Sequence, residues 1–230
     1  MNRAERRAAE RRFRKAVRNM PDDPHTRSTR RAMMLGGVDF ARGVETLHRL
    51  FGDPPRDKLT ACFHEAGHAT VSVAMGGMLT KCYVRNTPGE DGEECWIGYT
   101  EAPIHGVTGD AVNIRAEPER ARKLAVRTIA GVAAEMLMGR GHPASSVEEQ
   151  YEVAAIATAL VGKDGAEAWV NARLNEAAAI LRENTLMFVG IATALHDCHK
   201  ATADDFAHQN LYRCRFFADT GSDTSPENSD

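Results

Sequence analysis

Three side chains within one helical turn, His64, Glu65 and His68, have the types and spacing that metal-assisted hydrolysis requires. On a helix, positions i and i+4 share a face and stand about 5–6 Å apart. Two imidazole nitrogens placed that way can reach one divalent ion at about 2.0–2.1 Å. Zinc is the expected ion. Glu65 follows the first histidine and points toward the side where a water would sit. A carboxylate there can take a proton from the water and pass it to a leaving amine. A bound metal lowers the pKa of its water toward ~7, so the pattern predicts hydrolysis at neutral pH.

The pattern His-Glu-x-x-His also arises by chance, so its surroundings matter. The stretch Lys58 to Ala74 reads as a helix stopped by Gly76-Gly77, and the motif lies inside it. Ala66, Gly67 and Ala69 are small, so another segment can pack beside the motif. Gly67 costs a helix interior ~1 kcal/mol against alanine, which suggests a packing demand. Lys81 to Arg85 and Trp96 to Thr100 read as two short strands, joined by the turn-rich 86–94 into a hairpin. A helix opens at Pro118 and runs through Leu124, Ile129, Val132 and Leu137 to Gly139. Residues 140–146 form a loop. The next helix carries Val153, Ile156, Ala157 and Leu160 on one face and stops near Gly162. Long helical stretches are predicted from Gly165 to Asp197 and from Thr202 to Arg215. A short helix is predicted from Val38 to Phe51.

These elements describe a mostly helical α+β domain with a small hairpin, zincin-like in layout. The expected divisions are a basic tail and linker over 1–56, a metallopeptidase domain over 57–216, and a disordered acidic tail over 217–230. Residues 1–31 hold eleven Lys/Arg against four Asp/Glu, but only Phe13 interleaves the charges between Arg3 and Arg18. Stacking on bases has little support, and no nucleic-acid partner is expected. The five cysteines form no C-x-x-C pair, which argues for a reducing, cytoplasmic setting rather than a disulfide framework. No apolar run approaches the ~18 residues of a membrane helix, and no secretory signal is visible.

Other residues carry weaker signals. His142, in the loop before the third predicted helix of the domain, is read as a solvated histidine, with oxyanion stabilisation the sharper alternative. His196, Cys198 and His199 cluster, but without a matched pair elsewhere they are read as a helix end. Cys62 is expected to be a small buried packing residue. Glu135 is either buried with a partner or exposed.

The string His64-Glu65-Ala66-Gly67-His68-Ala69 resembles the zinc protease domain of the FtsH family of ATP-dependent metalloproteases. Ala130 to Gly139 (AGVAAEMLMG) is similar to that family's segment after the hairpin region, and the order of elements agrees over roughly Asp57 to Arg215. The resemblance implies that His64 and His68 ligate zinc and that Glu65 is the general base of an endopeptidase. It also implies a third ligand, an Asp in the family, from the start of the following helix. Here that stretch is Ser145 to Glu152 (SSVEEQYE) and has no Asp. Glu149 shares the stripe of Val153, Ile156, Ala157 and Leu160 and is the first choice, with Glu148 and Glu152 as alternatives. Analogy with such proteases suggests that the strand Trp96 to Thr100 receives an extended substrate at its edge, with Gly98 permitting close approach. The family's ATPase module and membrane helices have no counterpart in this sequence. The expectation is a stand-alone peptidase that cleaves flexible protein segments or works with a separate ATPase or adaptor. Two rivals remain. One is a peptidase resembling the ImmA/IrrE regulatory proteases, whose glutamate ligand before the alanine-rich segment has no counterpart in Arg127-Thr128-Ile129; zinc content after mutating Glu149 or Glu119 separates the two. The other is an inactive, zinc-stabilised adaptor that uses its basic N-terminus.

Overall fold

The computed structural model describes residues 3–19, 43–55, 57–87, 92–104 and 113–201. Its elements run α1 (Arg3–Arg18), α2 (Lys58–Ala74), β1 (Lys81–Asn86), β2 (Trp96–Glu101), α3 (Pro118–Thr128), α4 (Ala130–Leu137), α5 (Val147–Glu183), α6 (Thr185–Cys198) and β3 (Lys200–Ala201). Residues 43–51 are also helical, between α1 and α2. The predicted linker at 20–31, the helix after Thr202 and the acidic tail lie outside the described residues. The architecture is mostly helical with one small antiparallel sheet, as the α+β expectation required.

Helix α2 is the centre of the domain. Asp57 caps it, accepting from the Thr60 backbone N–H at 3.0 Å and from the Thr60 hydroxyl at 2.8 Å. Arg140 reaches across from the loop after α4 and donates to Asp57 at 2.8 Å. The cap therefore ties the start of α2 to a segment eighty residues away in sequence. At its other end the chain turns through Gly76 at φ 88°, the left-handed region that glycine enters without a Cβ penalty. Between these ends α2 packs on α4, on α6 and on the sheet, so residues on nearly all its sides are buried. That explains why it lacks the one-sided apolar stripe of a surface helix.

The predicted hairpin forms, with each strand one residue longer than expected. Cys82 pairs with Thr100 and Val84 with Gly98. The sheet order is β2-β1-β3, so within this sheet β2 is an edge. The two-residue β3, which pairs Ala201 with Cys82, carries too short a pattern to be read from sequence.

Two predicted helices are divided. The helix expected from Pro118 to Gly139 breaks at Ile129, which adopts φ −91° and ψ 3°. No glycine or proline marks the break. The stretch expected from Gly165 to Asp197 is divided at Asn184, where α5 and α6 meet at 86°. Gly162 interrupts α5 at φ 78°, ψ 172°, where the sequence predicted a stop. No single helix among the described residues is long and apolar enough to cross a membrane.

Candidate metal centre

His64 and His68 project from one face of α2 toward the start of α5. Their Nε2 atoms lie 3.0 Å apart. Glu149 Oε1 lies 3.3 Å from His64 Nε2 and 3.0 Å from His68 Nε2. Among the described residues this is the only trio of His, Cys, Asp or Glu whose donor atoms converge closely enough for one ion. In tetrahedral coordination at about 2.0–2.1 Å, donors stand about 3.3 Å apart. The observed triangle is close to that size.

The opposite ring nitrogens decide how the triangle must be read. His68 Nδ1 lies 2.9 Å from the backbone carbonyl of Arg127, which can only accept, so Nδ1 carries a proton. His64 Nδ1 lies 2.7 Å from Glu135 Oε1 and donates to that carboxylate. In their neutral forms both rings therefore carry bare lone pairs at Nε2, and these lone pairs face each other and an anionic oxygen. Such an arrangement is repulsive unless a positive charge, a metal ion or a proton on one of the rings, lies among the three atoms. The electrostatics express the same demand. Burial works against a charged His64, but the Glu149 carboxylate and the hydrogen bonds to Glu135 and Glu149 outweigh it and raise its pKa well above the ordinary histidine value. Burial likewise opposes ionisation of Glu149, yet the facing His68 and His64 hold its carboxyl far below the usual range. Glu149 Oε2 is buried without a hydrogen-bond partner, so an unspent acceptor remains beside the triangle.

Backbone close approach builds the histidine side of the cluster. A Cβ on Gly67 would lie 2.7 Å from both Ala130 O and Ala134 Cβ, so the missing side chain is what brings α2 against α4. A Cβ on Gly131 would fall 2.3 Å from His64 Cε1, so the imidazole lies directly over that glycine. The packing demand read at Gly67 is thus met by α4. The break at Ile129 also has a function in this geometry. In an unbroken helix the Arg127 carbonyl would accept from residue 131. At the break it instead takes the His68 Nδ1–H at 2.9 Å.

Glu65 is buried, and its Oε2 accepts from the Thr100 hydroxyl at 2.7 Å. A cleft of about 230 Å³ opens beside it, lined by His64, Glu65, Trp96, Ile97, Gly98 and Ser146 among others. It runs from the ligand cluster along β2. Glu135 is buried with a partner, the first of the two readings left open for it. Sequence reasoning found no role for Glu135, Arg127 O or Thr100 at the site.

The remaining candidates separate. Of the two alternatives to Glu149, Glu152 is buried and Glu148 half-buried, and neither joins the converging trio. His142 has both ring nitrogens engaged, one with the Phe51 carbonyl at 3.0 Å and one accepting from the Ala144 N–H at 3.2 Å. It braces its loop. His196 pairs with its neighbour Asp197 at 3.0 Å, and the His199 ring packs at a tilt against Trp96, centroids 5.3 Å apart. Cys62 is fully buried, and burial pushes its thiol up to about 11. Glu119 is turned to Arg122, at 2.9 Å. Comparison with protein-family models and with curated proteins finds no match for this chain.

Proposed function

We propose that this chain is a zinc-dependent endopeptidase in which His64, His68 and Glu149 hold the metal and Glu65 is the general base. The observation that carries the reading is the convergence of two histidine lone pairs and a carboxylate oxygen within 3.0–3.3 Å, each ring having already donated its other nitrogen. A zinc ion held there would polarise a peptide carbonyl and acidify a water. Thiolate ligands are absent from the trio, and two imidazoles with one carboxylate suit a hydrolytic zinc site that keeps a fourth position open. The Glu65 carboxylate takes a proton as the water oxygen bonds to the peptide carbon. It returns that proton to the amine nitrogen as the C–N bond breaks. Glu135 and the Arg127 carbonyl keep each imidazole in the tautomer that offers Nε2.

Substrate access favours an extended, flexible segment. β2 borders the cleft and, among the described residues, pairs with a strand on one side only, so its other edge offers backbone hydrogen bonds to a peptide laid beside Glu65. The resemblance to FtsH-type proteases supports the same assignment and suggests a separate ATPase or adaptor as partner, and the five cysteines without a C-x-x-C pair suit a reducing, cytoplasmic setting. Against the ImmA/IrrE-type alternative, Glu119 pairs with Arg122 and is not part of the His64, His68 and Glu149 trio.

Metal content and proteolysis together test the reading. The purified chain is expected to carry about one zinc and to degrade casein in a chelator-sensitive manner. Glu65→Gln should keep the zinc and lose cleavage by at least about 10³-fold, since the base is removed while the ligands stay. Full activity in that variant overturns the role of Glu65. Zinc without any chelator-sensitive cleavage by the wild-type chain would favour the adaptor instead.

A further inference from the structure

Glu65 is held by β2 through two neighbouring same-face positions. Residues 98 and 100 alternate with 97 and 99, so both point to the face of β2 that covers α2. At 98 there is no side chain. A Cβ there would lie 2.2 Å from Glu65 Cγ and 2.6 Å from its Oε1, so the carboxylate lies flat across the strand at that point. At 100 the Thr hydroxyl stands 2.7 Å from Glu65 Oε2 and 3.1 Å from the Glu65 backbone carbonyl. A hydroxyl has one proton to give, and the short bond to the carboxylate receives it. The hydroxyl's own acceptor capacity is met by the Cys82 thiol, 3.1 Å away on the paired strand. Cys82 is fully buried, and burial pushes its thiol well up, so it stays S–H and donates.

We propose that Thr100 is the positioning residue for Glu65, fixing one carboxylate oxygen against β2 so that the other faces the cleft beside His64. The inference rests on Glu65 being the general base. A glutamate side chain has three rotatable bonds, and a general base must hold its oxygen within hydrogen-bond reach of the proton it removes. Without the hydroxyl, the carboxylate of Glu65 samples other rotamers over the open cleft. Gly98 supplies the space and Thr100 the direction. The methyl of Thr100 fills the volume that any replacement must also fill.

The test is a three-variant series on the full chain, read by zinc content and by kcat and KM on an unstructured peptide. Thr100→Val keeps the shape and deletes the hydroxyl. It should lower kcat by about 10- to 100-fold, leaving KM and bound zinc unchanged, because misplacing a catalytic group costs rate rather than binding. Thr100→Ser returns the hydroxyl and should recover most of the lost kcat. Cys82→Ala removes the outer donor, together with its longer 3.9 Å contact to the Glu65 carbonyl, and should cost less than Thr100→Val. A Thr100→Val variant with wild-type kcat overturns the proposal. So does a Thr100→Ser variant that is as slow as Thr100→Val, since the loss would then follow packing rather than the hydroxyl. A wild-type chain that binds zinc and cleaves nothing defeats the endopeptidase reading itself, a result distinct from either.

Discussion

Helix α2 and helix α5 bring their donors to the same triangle, but they are held in different ways. α2 begins on a side-chain cap, Asp57, that is locked by Thr60 and Arg140. Its interior is clamped on α4 at Gly67, and each of its histidines has a fixed outer partner. α5 begins on Ser146, which sits at φ 49° and makes no side-chain cap bond. It contributes a single donor, Glu149, whose second oxygen has no partner. Several independent constraints therefore define the histidine pair, whereas the third donor depends on one helix start. In the proposed metal site the pair of imidazoles would be rigid, and binding the ion would itself complete the order of the carboxylate.

The sharpest way to break this comparison is to remove the third donor. Glu149→Ala should weaken zinc binding by about 10²-fold or more, exceeding what loss of an outer-shell partner costs. The fold should persist, because the apolar packing of α2 on α4, α6 and the sheet does not involve Glu149. Glu148→Ala is the matched control and should leave zinc affinity unchanged. Isothermal titration with zinc on both variants gives the answer, and a larger loss at Glu148 would remove Glu149 from the site.

A smaller effect is expected at the cap of α2, and it has a pH signature. Burial alone would raise the Asp57 pKa, but the hydrogen bonds from Thr60 and the charge of Arg140 outweigh it and hold the carboxyl below its usual value. A depressed folded-state pKa contributes stability that is present above the unfolded value and lost as pH falls through the folded one. Asp57→Ala should therefore cost ~1 kcal/mol in urea unfolding at pH 7. The gap from wild type should narrow as pH drops below about 4, where the unfolded carboxyl starts to protonate. A gap that is constant from pH 7 to pH 3 would show that the charge at this cap contributes nothing.

The same division explains what could be read from sequence. α2, with its paired histidines, is a local pattern, and its span from Lys58 to Ala74 follows from spacing and a glycine stop. Glu149 was reachable because Val153, Ile156 and Ala157, one to two turns on, form a stripe that the structure buries. Glu135 and Thr100 were not reachable. They meet His64 and Glu65 across 71 and 35 residues, and nothing local distinguishes a buried glutamate on α4 or a strand threonine from ordinary packing. The break at Ile129 was hidden for a related reason: no helix-breaking residue occupies the position, and the contact beside it, His68 to the Arg127 carbonyl, spans 59 residues.

The smallest expected effect separates strain from function at the start of α5. A left-handed conformation costs a residue with a Cβ about 1–2 kcal/mol, which glycine does not incur. Glycine loses more backbone entropy on folding, by roughly 0.5–1 kcal/mol. Ser146→Gly should thus be neutral or stabilising by a few tenths of a kcal/mol up to about 1 kcal/mol, a Tm rise of at most about 2–4 °C. Zinc affinity should not move. The Ser146 hydroxyl lies 3.4 Å from His64 Nδ1, but that nitrogen's proton is already given to Glu135 at 2.7 Å. The shorter, charge-assisted bond fixes the ring. If Ser146→Gly instead lowered zinc affinity tenfold while Tm stayed level, the serine would be holding His64, and the two helix starts would be coupled rather than independent.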